Sequence, residues 1–169
     1  MGDRKLFYNY FGDIQKVSYI GIDALVTLDN TLNGWAIDQH QQELIEQALE
    51  AEGRLFIFVH NVWWHDFSDC FSPNSYAGIA PDTLQNFKTE LLPLLLASKK
   101  EVFVIAGDVG ATQKSYGAGV WQKENLTLLT SGMGNGKTDN VLKLDVSKDE
   151  VSYRFIPLVG DTIIPCLNF

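Results

Sequence analysis

Hydrophobic and polar positions follow two different periods along this chain, and each change of period marks a new element. Residues Ile14 to Leu28 are rich in Val, Ile, Tyr and Thr between Gly12-Asp13 and Asp29-Asn30, which predicts one long strand or two short ones. From Gln39 to Glu52 the apolar residues Leu44, Ile45, Ala48 and Leu49 recur at helical spacing. Asp38 stands in the N-cap position, Gln41 three residues later completes a capping box, and Gly53 stops the helix. The next run, Leu55-Phe56-Ile57-Phe58-Val59, is continuously apolar and ends on His60-Asn61. A second such run, Val102 to Ala106, empties into Gly107-Asp108-Val109-Gly110. Short continuous apolar runs suit strands buried on both faces.

Between these runs, Asn61 to Ala80 reads as a long irregular connection, a kind of segment that often carries function. A second helix follows Pro81-Asp82, with Leu84, Phe87, Leu91 and Leu95 facing inward and Pro93 kinking or dividing it. After Asp108 comes a Gly-rich segment with Gln113, Tyr116, Trp121 and Gln122, which reads as a loop lining a pocket or as a lid. Asn125 to Ser131, Asn140 to Val146 and Val151 to Pro157 then adopt a period of two, the last two forming a hairpin through Ser147-Lys148-Asp149-Glu150. The order β-α-β-α-β followed by antiparallel strands predicts the α/β class, a mixed β-sheet with helices on one face. No internal repeat divides the chain, so residues 1–169 are expected to form a single domain.

Composition narrows the partners. With 46% hydrophobic residues the chain can bury a substantial core, and its formal charge of −8 opposes the attraction to phosphate backbones and anionic lipid on which general nucleic-acid and membrane binders rely. No apolar stretch approaches the roughly twenty residues that span a bilayer. Met1 to Leu6 lacks the apolar core of a signal peptide, and Leu6 stands where a myristoylation signal has Ser or Thr. A soluble chain with neither nucleic-acid nor membrane partners is the expectation. Cys70 and Cys166 define no disulfide framework and no redox compartment.

Strand ends are where α/β folds keep their chemistry, which singles out His60 and Asp108. If their strands are sheet neighbours, the two side chains can share a ligand or metal. His60, His65, Asp66, Asp69 and Cys70 crowd one loop with ligand types that zinc, manganese or iron accept. Equally, Trp63 and Trp64 can pack that loop onto the core while its polar residues face water, and Asp108 can cap a turn. Asn61, Trp63, Trp64, His65 and Tyr116 are the candidates for holding a small ligand. Ser131 to Thr138 nearly matches a phosphate-binding loop, but Ser131 replaces the first Gly and a strand pattern follows Thr138, so a glycine-rich β-turn is expected. Asp38-Gln39-His40 resembles an Asp-x-His metal pair, yet helix capping accounts for Asp38 and leaves His40 solvated.

In its order of elements the chain resembles the C-terminal half of calcineurin-like metallophosphoesterases, which run strand, helix, strand to a metal-binding His, helix, strand to Gly-His-x-His, then further strands. Phe7-Tyr8-Asn9-Tyr10-Phe11-Gly12-Asp13-Ile14 looks like the start of that half. Gln41 to Leu49 looks like the helix after its Leu-Asp strand, with Ile22-Asp23 or Leu28-Asp29 as the strand end. His60 falls at the strand-end metal ligand, and Gly107-Asp108-Val109-Gly110 falls where Gly-His-x-His would be. Asp108 retains a carboxylate there, whereas Gly110 has no side chain to offer. The family's N-terminal motifs Asp-x-His, Gly-Asp-x-x-Asp and Gly-Asn-His-Asp/Glu do not occur in the required order.

The resemblance therefore implies half of an αββα sandwich, with His60 and Asp108 as remnant ligands for a divalent metal (Mn, Fe or Zn) that the isolated chain does not retain. It implies no phosphate-ester hydrolysis by this chain alone. It also implies an apolar face covered by a homodimer partner or by a complementary N-terminal half. The competing reading is a non-catalytic ligand-binding or assembly module unrelated to phosphoester chemistry. A third is a mononuclear metalloenzyme using His60, His65 and Asp66.

Overall fold

The two continuous apolar runs lie side by side at the centre of the protein. A computed structural model describes residues 8–10, 12–31, 35–65, 67, 86–107, 117–133, 136–160 and 162–168. The first run is β3 (Leu55–Val59) and the second β4 (Val102–Ala106); they pair in parallel from Leu55↔Val102 to Val59↔Ala106. Around them a mixed seven-stranded sheet takes in β1 (Lys16–Ile20), β2 (Asp23–Thr27), β5 (Ala118–Lys123), β6 (Leu126–Ser131) and β9 (Cys166–Asn168), in the order β1-β2-β3-β4-β6-β5-β9. The protein is thus of the α/β class.

Ile14 to Leu28 resolves into two strands. Gly21, at a φ of +61°, and Ile22 turn β1 back onto β2. Helix α1 (Gln39–Leu49) begins as its sequence predicts: Asp38 Oδ1 accepts from Gln41 N–H at 2.8 Å, and Gln41 Oε1 accepts from Asp38 N–H at 3.3 Å. The buried Gln41 amide goes further, donating to Gln15 Oε1 and to Asp29 O and so tying the helix start to the strand exits. His40 is exposed.

Pro93 divides the second helix. Proline brings no N–H for the carbonyl four residues back, and its ring needs room there. The chain meets both demands by widening into a π turn over Phe87–Leu91, with Leu92 N–H donating to Phe87 O, before α2 (Leu92–Ala97) resumes α geometry. Phe87, Leu91 and Leu95 are buried as expected; Leu84 lies outside the described residues.

Alternation along each strand builds two cores. Leu55, Ile57 and Val59 of β3, with Val102 and Val104 of β4, face the helices and meet Ile45, Ala48, Phe87 and Leu95. Phe56 and Phe58 face the other way, where Phe56 stacks on Phe103 with ring centroids 5.1 Å apart. That second face is covered by the hairpin of β7 (Asn140–Val146) and β8 (Val151–Pro157), which lays Leu142, Leu144, Val151, Tyr153 and Phe155 on it. Helices lie on one side and a two-stranded sheet on the other, so the inner strands are apolar at every position.

Three expectations change. β6, expected among antiparallel strands, runs parallel to β4 on one side, from Val102↔Leu126 to Ala106↔Thr130, and is antiparallel only to its other neighbour. Trp121 and Gln122, read as part of a loop, belong to β5, which hydrogen-bonds antiparallel to β6 through the tight Glu124-Asn125 turn. β9 adds a third unanticipated feature, a three-residue strand parallel to β5. The phosphate-loop look-alike is the connection from β6 to β7: a strand follows it, so no helix N-terminus is available to an anion.

An Asp23–Arg54 pair clamps the start of β2 to the start of β3. Arg54 Nη2 and Nε reach the two carboxylate oxygens at 2.7 and 3.2 Å, Arg54 N–H donates to Oδ1, and Nη2 also donates to Ser147 O in the hairpin turn. A Cβ on Gly53 would sit 2.4 Å from Asp23 Oδ1, which explains glycine there. The guanidinium hydrogen bonds hold the Asp23 carboxyl below its ordinary value of 3.8. A lowered folded pKa gives stability that is complete above the ordinary carboxylate range and is lost as pH falls through the folded value. We expect Arg54→Met, which keeps the aliphatic stem, to lower stability by about 2 kcal/mol at pH 7. Urea titrations at pH 7 and below pH 3.8 should show that deficit shrinking in acid.

Candidate functional site

The sheet delivers the ends of β2, β3 and β4 to one edge of the molecule. Val59 is opposite Ala106, and immediately beyond them Gly107 N–H donates to His60 O at 3.2 Å. The expectation that the strands ending at His60 and before Asp108 are parallel neighbours therefore holds for the strands. Asp108 and Tyr116 lie outside the described residues, as do Asp66, Asp69, Cys70 and Gln113.

A residue that sequence reasoning passed over organises this edge. Asn30, just beyond β2, is 1% exposed. Its Oδ1 accepts from the main-chain N–H groups of both His60 (3.0 Å) and Asn61 (2.9 Å), while its Nδ2 donates to Asn61 O at 2.9 Å. Asn61 returns the bond through Nδ2 to Asn30 O at 3.4 Å. The two buried amides thus fix the backbone that presents His60, whose residue remains exposed. In the sequence Asn30 looks only like the end of a turn, because its partners are 30 and 31 residues away.

Leu28-Asp29 leaves β2 on this side, where Leu28 N–H donates to Phe58 O. Ile22-Asp23 stands at the opposite end, opening the strand. Of the two candidates for a strand end, only Leu28-Asp29 is close to His60. Asp29 Oδ1 accepts from Thr31 N–H and Thr31 Oγ1–H, a local Asx turn.

The aromatic segment after His60 packs inward. Trp63 and Trp64 have no exposed surface; Trp63 stacks on Phe87 at 5.6 Å, and its indole N–H donates to Trp35 O at 2.9 Å. Phe67 fills the space between Phe87 and Trp121. His65 does not face water: it is 5% exposed, with the Trp35 ring edge-on at 6.4 Å. Asn61 is buried in the amide pair described above. The packing reading of this loop describes Trp63 and Trp64, and among the ligand candidates in the described part of the loop only His60 is at the surface.

As a metal site the described donors fall short. Among the described residues no group of three or more His, Cys, Asp or Glu side chains is placed to hold an ion, and His60 brings one imidazole. These residues alone do not fit a single cation, still less a pair, so no reaction step is assigned to one.

A second feature lies on the hairpin side. Ile20, Leu25, Phe56 and Phe58 of the sheet, with Leu144 and Val146 of β7, line an open groove of about 360 Å³ that has Asp23 at its rim. Ile20 and Val146, which line it, are each roughly half exposed or more. The hairpin therefore covers only part of its sheet face.

At the far end of the hairpin, Asn140 is a further residue that sequence reasoning missed. Its buried Nδ2 donates to Gly117 O and Thr138 O, and its Oδ1 accepts from Ser131 Oγ. Gly117 takes a φ of +69°, and a Cβ there would meet Thr138 O at 2.4 Å.

No family model, no curated protein and no solved structure matches the chain. Among the described residues no helix is long and apolar enough to cross a membrane.

Proposed function

We propose that this chain is a metallophosphoesterase-like half domain, completed by self-association or by an N-terminal half, and without phosphate-ester hydrolysis on its own. The observation that carries the reading is the junction of β3 and β4. Two parallel strands in register end together, one on His60, the other on Gly107, whose N–H bonds His60 O. The next residue in the chain is Asp108. A histidine after one strand and an aspartate next in sequence beyond its neighbour are what the resemblance requires of a remnant metal edge. Mn, Fe or Zn would find the remaining ligands in the completing half.

The partly covered sheet face supports the same reading. Parallel strands are ordinarily covered on both sides, and apolar patches of several hundred Å² mark association sites. In the αββα arrangement the hairpin would be the first part of a second sheet that the other half extends over Leu25 and Phe58. The same groove is the observation that favours the alternative, an assembly module with no phosphoester chemistry.

One set of measurements separates them. The purified chain, supplied with Mn²⁺ and an aryl phosphate monoester, is expected to show no chelator-sensitive turnover above that of His60→Ala, and light scattering is expected to show a dimer or larger species at micromolar concentration. Metal-stimulated turnover would overturn the claim of inactivity, and a stable monomer would overturn completion by self-association. Metal content that falls on His60→Ala with the fold intact favours the remnant site; unchanged content with altered association favours the assembly module.

A further inference from the structure

Strand β1 is an open edge of the sheet. Among the described strands it pairs only with β2, in a register that runs without a bulge from Lys16↔Thr27 to Ile20↔Asp23. The direction of its main-chain groups follows from β2. Ala24 N–H donates to Arg54 O and Leu28 N–H to Phe58 O, so these residues turn to β3, while Asp23, Leu25 and Thr27 turn to β1. Those three stand opposite Ile20, Ser18 and Lys16. Val17 and Tyr19 therefore direct their N–H and C=O groups out of the sheet. Apolar surface accompanies them, since Tyr19 is 52% exposed and Ile20 69%. Edges of this kind are ordinarily blunted by proline, a bulge or charges, and β1 carries only Lys16.

We propose that β1 pairs antiparallel with β1 of a second copy about a twofold axis at Ser18, joining the two sheets into one. This rests on the self-association proposed above and names its surface. The edge itself selects the register. With Ser18 on the axis, Val17 faces the partner's Tyr19 and Tyr19 the partner's Val17, and each pair exchanges both main-chain hydrogen bonds. An axis at Val17 would call on Gln15, whose N–H already donates to Asp13 Oδ1. An axis at Tyr19 would call on Gly21, which turns the chain into β2 at a φ of +61°. The side chains suit the same choice. On the helix side the Tyr19 ring meets the partner's Val17, which packs on the margin of the core, an aromatic and β-branched pair of the stabilising kind. On the hairpin side Lys16 stands opposite the partner's Ile20, so no like charges meet. Ile20 also lines the apolar groove, and pairing brings the two grooves together across the axis. The occupant is a second copy because the two outward-facing residues of this edge are each other's partners.

Light scattering and cross-linking of the intact chain test this. Tyr19→Pro removes an outward N–H from each copy and leaves the β1–β2 ladder alone, so it is expected to raise the dimer dissociation constant about thirtyfold. Ser18→Cys places two thiols on the axis, with Cα atoms about 4.5 Å apart, and should give a covalent dimer on mild oxidation. Lys16→Cys, whose copies stand farther apart along the strands, should not, and neither should the wild type. A monomeric wild type would overturn the self-association reading and this proposal with it. A dimer that keeps its affinity in a folded Tyr19→Pro, or that cross-links no better through Ser18→Cys than through Lys16→Cys, would overturn the β1 interface and leave self-association standing. If Tyr19→Pro fails to fold, the cysteine pair decides alone.

Discussion

Trp63→Ala is expected to cost about 4 kcal/mol, the largest loss for any single truncation in this loop. The indole is wholly buried, stacks on Phe87 and donates its N–H to Trp35 O. Alanine leaves a cavity bordered by the Phe87 ring, whose backbone is fixed in the π turn by the Leu92 N–H bond to its carbonyl. It also leaves a main-chain carbonyl without its donor, an additional cost of about 1 kcal/mol. Urea unfolding followed by tryptophan fluorescence checks this, with Trp63→Phe as the milder companion. A loss for Trp63→Ala of less than about 1.5 kcal/mol would place the indole outside the core of the protein in solution.

The second large effect is expected at Asn30. Replacing it with leucine, of similar volume, strands two main-chain N–H groups that its Oδ1 now satisfies, those of His60 and Asn61. Each buried donor left unpaired costs about 1–3 kcal/mol, so a destabilisation of about 3 kcal/mol is expected. Asn30→Asp keeps the acceptor but loses the donor to Asn61 O and brings a charge into a buried position; it should fall between leucine and wild type at acid pH and lose ground as the carboxyl ionises. Chemical denaturation across pH 4 to 8 distinguishes the two variants. Equal, small losses for both would mean that the amide does not hold the strand exits together.

How far this architecture was legible in the sequence depends on the distance over which each feature is determined. The capping box of Asp38 and Gln41, the break in the second helix at Pro93 and the β7–β8 hairpin are decided by neighbours a few residues apart, and each is evident from local chemistry; the π turn that makes the break is not. The buried character of β3 and β4 is evident too, since only strands covered on both faces have apolar side chains at every position. β5 escaped because Ala118-Gly119 opens it with two residues of low strand preference and its burial comes from β6, across a turn that needs Glu124 at a φ of +53°. The direction of β6 follows from a crossover, which no period within the strand encodes. Asn30 and Asn140 look like ordinary turn residues, and only the folded chain reveals which distant backbone groups they satisfy. Around His60, the strand exits agree with the expected parallel pairing, whereas Trp63, Trp64 and His65 are committed to the interior.

The β7–β8 hairpin joins the rest of the protein at two points that the chain reaches on very different scales. Asn140 bonds Gly117 O across 23 residues, and Arg54 bonds Ser147 O across 93. A hairpin closed by a four-residue turn assembles in microseconds, but its seat consists of strands that must first find partners far along the chain. The cover for Phe56 and Phe103 is therefore expected to form early and dock late. Until Arg54 has captured the turn, the face that carries Phe56 and Phe103 would stay open to the solvent and to other nascent chains.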